Sequence, residues 1–127
     1  MRSSIIEKNL SILEIIGNSN KQLSEKDLSN LSEIPLSSIY KTLNTLTSMG
    51  YLKRYSKSNT YSLGYKLLFL GNQARNQRTL VNKVRPLVEK LTKKTKLTSN
   101  LVIEDEMQAL YIERVNSQGM STITNII

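Results

Sequence analysis

Between Leu23 and Gly50 the chain carries two helix starts and a helix stop, and that spacing restricts the fold more than any other feature of the sequence. Ser24 stands as an N-cap, Asp27 three residues on completes a capping box, and Leu23 and Leu28 are placed as a hydrophobic staple. The pattern predicts a helix from about Glu25 to Leu31. Ser32-Glu33-Ile34 leaves room only for a short turn, because Pro35 holds Ile34 extended and pre-sets the opening of the next helix. In that helix Ile39, Leu43 and Leu46 recur at i, i+4, i+7, and Gly50 follows Met49 where a left-handed C-terminal cap belongs.

Upstream, Ile5, Ile6, Leu10, Ile12, Leu13, Ile15 and Ile16 form a broad apolar arc at helical periodicity, closed near Gly17. Asn9 interrupts that arc, either as a satisfied core amide or as a packing defect. Downstream, Tyr51 to Tyr55 and Thr60 to Leu63 flank Ser56-Lys57-Ser58-Asn59, a hairpin whose turn needs positive φ at Asn59. Two helices at a tight turn followed by a hairpin make a winged helix-turn-helix, assigned to residues 1–64.

The face of the third helix opposite its apolar stripe is Ser37, Lys41, Asn44 and Ser48, with Thr45 beside it. Every member hydrogen-bonds and none is acidic, which suits the edge of a DNA groove; a solvated face is the other reading. Lys53, Arg54 and Lys57 cluster on the hairpin, where they grip phosphates or keep a sheet edge soluble.

Charge agrees with a polyanionic partner: 18 basic against 10 acidic residues give +8. Residues 1–64 carry eight basic and five acidic side chains, residues 65–97 nine and one, and residues 98–127 one and four. The chain has neither cysteine nor histidine, which excludes disulfides, zinc sites of the usual composition and imidazole-based catalysis. No cofactor, metal or catalytic residue is expected, and an enzyme is the poorest reading. No apolar run approaches the ~20 residues of a membrane span, and the expected location is the cytoplasm.

From Tyr65 to about Lys96 the apolar set Leu67, Leu68, Leu70, Ala74, Leu80, Val84, Leu87, Val88 and Leu91 is helical again, and Pro86 is expected to split it into two pieces. Thr98 to Ile103 and Ala109 to Val115 read as strands joined by the acidic turn Glu104-Asp105-Glu106.

Leu10-Ser11-Ile12-Leu13, Ile34-Pro35-Leu36-Ser37-Ser38-Ile39-Tyr40-Lys41, Gly50-Tyr51-Leu52 and Tyr61-Ser62-Leu63-Gly64, in that order and spacing, resemble the IclR family of transcription regulators. The likeness continues through Leu67-Leu68-Phe69-Leu70-Gly71, Val84-Arg85-Pro86-Leu87 and Glu113-Arg114-Val115. It implies an α+β, mainly α fold: three helices and a wing, a linker helix over residues 65–83 used for dimerisation, and in residues 84–127 the incomplete start of a GAF-like effector domain. With that domain incomplete, effector binding is doubtful.

Carried over residue by residue, the family's DNA contacts fall on Ser37, Ser38, Tyr40 and Lys41. Leu36 replaces the usual polar residue, Lys41 the usual arginine, and the wing turn lacks its usual glycine. The expected function is a regulator binding a palindromic operator in double-stranded DNA as a homodimer. The alternatives are an interaction protein that pairs with a longer relative and spoils its regulation, and a basic RNA-binding winged helix.

Overall fold

The computed structural model describes residues 1–117 and the backbone of residues 121–122. Its elements are α1 (Ser4–Asn18), β1 (Leu23–Ser24), α2 (Glu25–Ser32), α3 (Leu36–Ser48), β2 (Leu52–Tyr55), β3 (Thr60–Leu63), α4 (Tyr65–Asn76), α5 (Thr79–Thr95), β4 (Ser99–Asp105), β5 (Gln108–Val115) and β6 (Ser121–Thr122). Contacts group them into two units, Met1–Gly71 and Asn72–Ile127, divided inside the 65–83 segment. The end of the 84–127 segment lies outside the described residues.

In the first unit Ile12, Leu28, Ile39 and Leu43 are fully buried, with Ile16, Leu23, Ile34, Leu52 and Tyr61 around them. Each such aliphatic side chain stabilises the fold by ~1.5–3 kcal/mol, so the three helices and the wing share one core. Only the C-terminal half of the apolar arc of α1 enters it; Ile5, Ile6 and Leu10 are exposed. Asn9 is half-buried and is no packing defect, since its Oδ1 accepts from Thr42 Oγ1 of α3 at 3.0 Å.

The capping box of α2 forms as the sequence requires: the Ser24 hydroxyl accepts from Asp27 N, and Asp27 Oδ2 accepts from Ser24 N at 3.0 Å. The Ser24 backbone N–H, then the Ser24 hydroxyl, hold the Asp27 carboxyl below its ordinary value of 3.8. A lowered carboxyl pKa stabilises the fold above the unfolded value, and the contribution disappears as pH falls through the folded one. Asp27→Asn should therefore lower the thermal midpoint at neutral pH, by an amount that shrinks on acidification below the carboxylate range. A difference from wild type that stays constant through that range would refute the assignment.

The turn between α2 and α3 is held from three sides. Glu33 takes the left-handed conformation at φ 60°, Ser29 Oγ donates to Ile34 O at 2.6 Å, and the buried Ser32 hydroxyl accepts from Ile34 N. Pro35 is the N-cap of α3 and its carbonyl accepts from both Ser38 N and Ile39 N.

Gly50 closes α3 with φ 85°, and its carbonyl accepts from Lys66 N at 3.3 Å. Gly64 crosses directly over it: a Cβ there would sit 2.1 Å from Gly50 O. The two glycines thus let the chain leaving the wing pass against the chain entering it.

The sheet of the first unit has the order β1-β3-β2, all antiparallel. The second unit packs α5 on the antiparallel sheet β4-β5-β6, with Val81, Val88, Ile112 and Val115 buried.

Two expectations are corrected. The long helical segment does divide, but at Gln77–Arg78, where Asn82 Nδ2 donates to Asn76 O at 2.6 Å and caps the end of α4; Pro86 lies within α5. The hairpin turn is Glu106-Met107, both at positive φ, so Glu104 and Asp105 are strand residues. The apolar residues of α4 form no core: none of its residues is buried.

Candidate nucleic-acid interface

The register of α3 follows from its core stripe. With Ile39 and Leu43 buried, Ser37, Ser38, Tyr40, Lys41, Asn44, Thr45 and Ser48 are turned outward, and all seven are exposed. The ridge divides into two kinds of hydroxyl. Thr45 Oγ1 donates to Lys41 O and Ser48 Oγ to Thr45 O, each at 2.8 Å, so these two present only lone pairs outward. The side chains of Ser37, Ser38 and Asn44 make no hydrogen bond among the described residues and keep both donors and acceptors. The first turn of α3 has no side-chain cap, which leaves the N–H groups of Leu36 and Ser37 without a hydrogen-bond acceptor among the described residues.

The wing is fixed to the same unit by its central strand. β3 pairs with β2 along its length and with β1 through Leu23↔Tyr61 and Ser24↔Thr60, the residues that lead straight into α2. Two side-chain bonds add to this: Thr60 Oγ1 donates to Gln22 Oε1 at 3.2 Å, and the Tyr61 hydroxyl to Glu25 Oε1 at 3.1 Å. Burial, then the bond to Glu25, raise the Tyr61 pKa, so the phenol stays protonated and donating at neutral pH.

Lys53, Arg54 and Lys57 are exposed on the wing. Asn59 adopts φ 54° in the turn, and Arg54 Nη2 donates to its Oδ1 at 2.7 Å. The Lys53 ammonium lies 5.3 Å from the centroid of the Tyr55 ring. Four ion pairs occur among the described residues, and none involves Lys41, Lys53, Arg54 or Lys57. Their charge is therefore not neutralised by a carboxylate of the protein.

All ten residues singled out from the sequence are thus exposed, seven on one helix and three on the wing. What sequence reasoning missed is the scaffold that sets the wing: a two-residue strand such as β1 has no periodicity to read, and the Tyr61–Glu25 bond spans 36 positions. It also missed that Glu113 and Arg85, in two separate motifs, meet in the second unit. Arg85 donates to the Glu113 carboxylate at 2.8 Å through Nε, Arg75 Nε lies 3.6 Å away, and the Glu113 residue is 1% exposed.

Among the described residues there is no group of His, Cys, Asp or Glu that could hold a metal ion, and no helix is long and apolar enough to cross a membrane.

Residues 6–56 match the model of the IclR helix-turn-helix domain. The regulator XynR of Escherichia coli is 26% identical over 113 residues, covering 89% of this chain and 45% of that protein. The regulator KdgR of the same organism is 29% identical over 114 residues, covering 90% of this chain and 43% of that protein. The chain spans about half the length of the curated relatives it matches. These relatives are transcription regulators, not enzymes. The crystal structure of the Thermotoga maritima IclR has the same fold, with a TM-score of 0.70 at 22% identity over 94% of this chain and 51% of that one. Residues 6–56 thus form a helix-turn-helix domain of the IclR type, a segment that the chain shares with regulators of transcription.

Proposed function

We propose that this chain reads a palindromic operator in double-stranded DNA as a homodimer, with α3 in the major groove. Ser37, Ser38, Tyr40, Lys41 and Asn44 meet base edges or the neighbouring phosphates, Thr45 and Ser48 continue the contact along the groove, and Lys53, Arg54 and Lys57 hold the backbone beside it. The observation that carries this reading is the ridge itself: an exposed helix face without a carboxylate, several of whose polar groups have no partner in the protein. Such a face is hydrated in isolation and exchanges that water for base edges and phosphates on binding.

Dimerisation rests on the 65–83 segment, read as a linker. Tyr65, Leu68, Phe69 and Leu70 are exposed on α4, an apolar surface that a second copy would cover. Two recognition helices would then meet half-sites about 34–36 Å apart. The cell compartment of such a regulator is the cytoplasm.

Selection from a random duplex pool at defined salt tests the reading, with duplex RNA as a competitor. Enrichment of an inverted repeat supports it, and equal retention of RNA and DNA overturns it. Lys41→Ala should relax base preference at the position it touches by about 1 kcal/mol. Arg54→Ala should weaken all duplexes alike and lower the slope of log affinity against log salt by ~0.9 for each half-site, ~1.8 for the dimer. Wild-type behaviour from both variants would show the roles to be wrongly assigned.

A further inference from the structure

The flank of α3 that faces α1 carries a cleft that adjoins the groove-reading ridge. It has a volume of about 590 Å³ and is mostly apolar in its walls, with Lys8 and Asn9 of α1 and Ser38, Lys41 and Thr42 of α3 among the residues that line it. Lys8 and Lys41 are both exposed, and neither takes part in any of the ion pairs of the described residues. Asn9 is held by Thr42, whose hydroxyl donates to its Oδ1. The amide nitrogen makes no hydrogen bond among the described residues and has two N–H donors to offer. The Ser38 hydroxyl is likewise unpartnered.

The Lys8 ammonium beside an amide fixed by Thr42 supplies donors that match a phosphodiester oxygen, with Ser38 and Lys41 of the ridge lining the same cleft. Glu33 is the one acid among the lining residues, and it forms no ion pair with either lysine. Ser38 and Lys41 belong both to this cleft and to the ridge, so a duplex seated on α3 brings a sugar-phosphate strand past its mouth. We infer that the cleft seats the DNA backbone, with Lys8 and Asn9 as phosphate-positioning residues supplied by α1. This rests on the DNA-binding reading above and adds a third anchoring point to the ridge and the wing.

Asn9 thereby acquires a reason to be polar inside an apolar arc: it ties α1 to α3 with its oxygen and faces the phosphate with its nitrogen. The two duties can be separated. Asn9→Asp keeps an acceptor for the Thr42 hydroxyl, at the same size, and replaces the two donors by a negative charge. The full chain should keep its thermal midpoint while losing affinity for every duplex by at least about tenfold, through repulsion of the phosphate. Lys8→Ala should weaken all sequences uniformly and lower the salt slope by ~1 for each half-site, with the selected base preference unchanged.

Both variants are to be titrated with the selected duplex and with a scrambled duplex across a salt series, alongside wild type. Wild-type affinity and slope in either variant overturns the inference while leaving the DNA reading intact. A shift in base preference in Lys8→Ala also overturns it, since a phosphate contact carries no base information. A wild-type chain that binds neither duplex sinks the DNA reading, and the inference with it.

Discussion

Gly64→Ala is expected to destabilise the first unit at or beyond the upper end of the ~1–3 kcal/mol usual for overpacking. The added methyl would lie 2.1 Å from the Gly50 carbonyl oxygen and 2.9 Å from its carbon, and both are backbone atoms that no rotamer change can move aside. Relief requires the two strands of the wing to separate at their open end, which breaks the Gly64 N–H bond to Tyr51 O and the Lys66 N–H bond to Gly50 O. DNA affinity should fall along with stability, because the same movement shifts the wing away from α3. Gly71→Ala is the natural control: nothing lies within 4 Å of a Cβ there, and the residue sits inside α4. That substitution should stabilise by up to ~1 kcal/mol through helix propensity. Urea unfolding of both variants checks the pair, and an undiminished midpoint for Gly64→Ala would contradict the close crossing.

Arg85→Ala is expected to destabilise the second unit by ~2–3 kcal/mol, less than the ~3–5 kcal/mol of a buried charge left wholly unpaired, because Arg75 remains. It removes the nearer of two guanidinium groups from a carboxylate that is almost fully enclosed, leaving Arg75 Nε at 3.6 Å as the remaining cation. Amides of β4 and β5 should lose exchange protection, while those of α3 retain it. Replacing Arg85 and Glu113 together by methionine should recover part of the loss, since the enclosed carboxylate is then gone and only the partly exposed Arg75 loses its counter-ion. Protection in β4 and β5 equal to wild type in Arg85→Ala would mean that the pair contributes little.

The winged helix was legible because its signals are local. Ser24, Asp27, Pro35 and Gly50 each act within four residues of their own position, and the structure shows each in the role its chemistry dictates. The register of α3 was equally readable, since the buried stripe of Ile39 and Leu43 fixes which side chains point out. Periodicity failed where it had no second surface to refer to. Ile5, Ile6 and Leu10 continue the apolar arc of α1 without entering the core, and the pattern alone does not say where the core ends. Pro86 misled for a physical reason: a proline inside a helix removes one backbone hydrogen bond without forcing a break, whereas Asn82, four residues earlier, caps α4. Long-range pairs such as Tyr61–Glu25 and Arg85–Glu113 leave no trace in spacing at all.

The tether between the wing and the start of α2 bears on the thermodynamics of recognition. A flap held only at its two chain ends loses conformational entropy when it settles on a duplex, and part of its electrostatic gain is cancelled. Here the Tyr61 phenol and the short β1 pairing have already ordered the flap in the unbound state. Tyr61→Phe, which preserves the ring and removes that constraint, should leave the bound geometry alone and make the entropy of association less favourable, a difference that calorimetry reads directly.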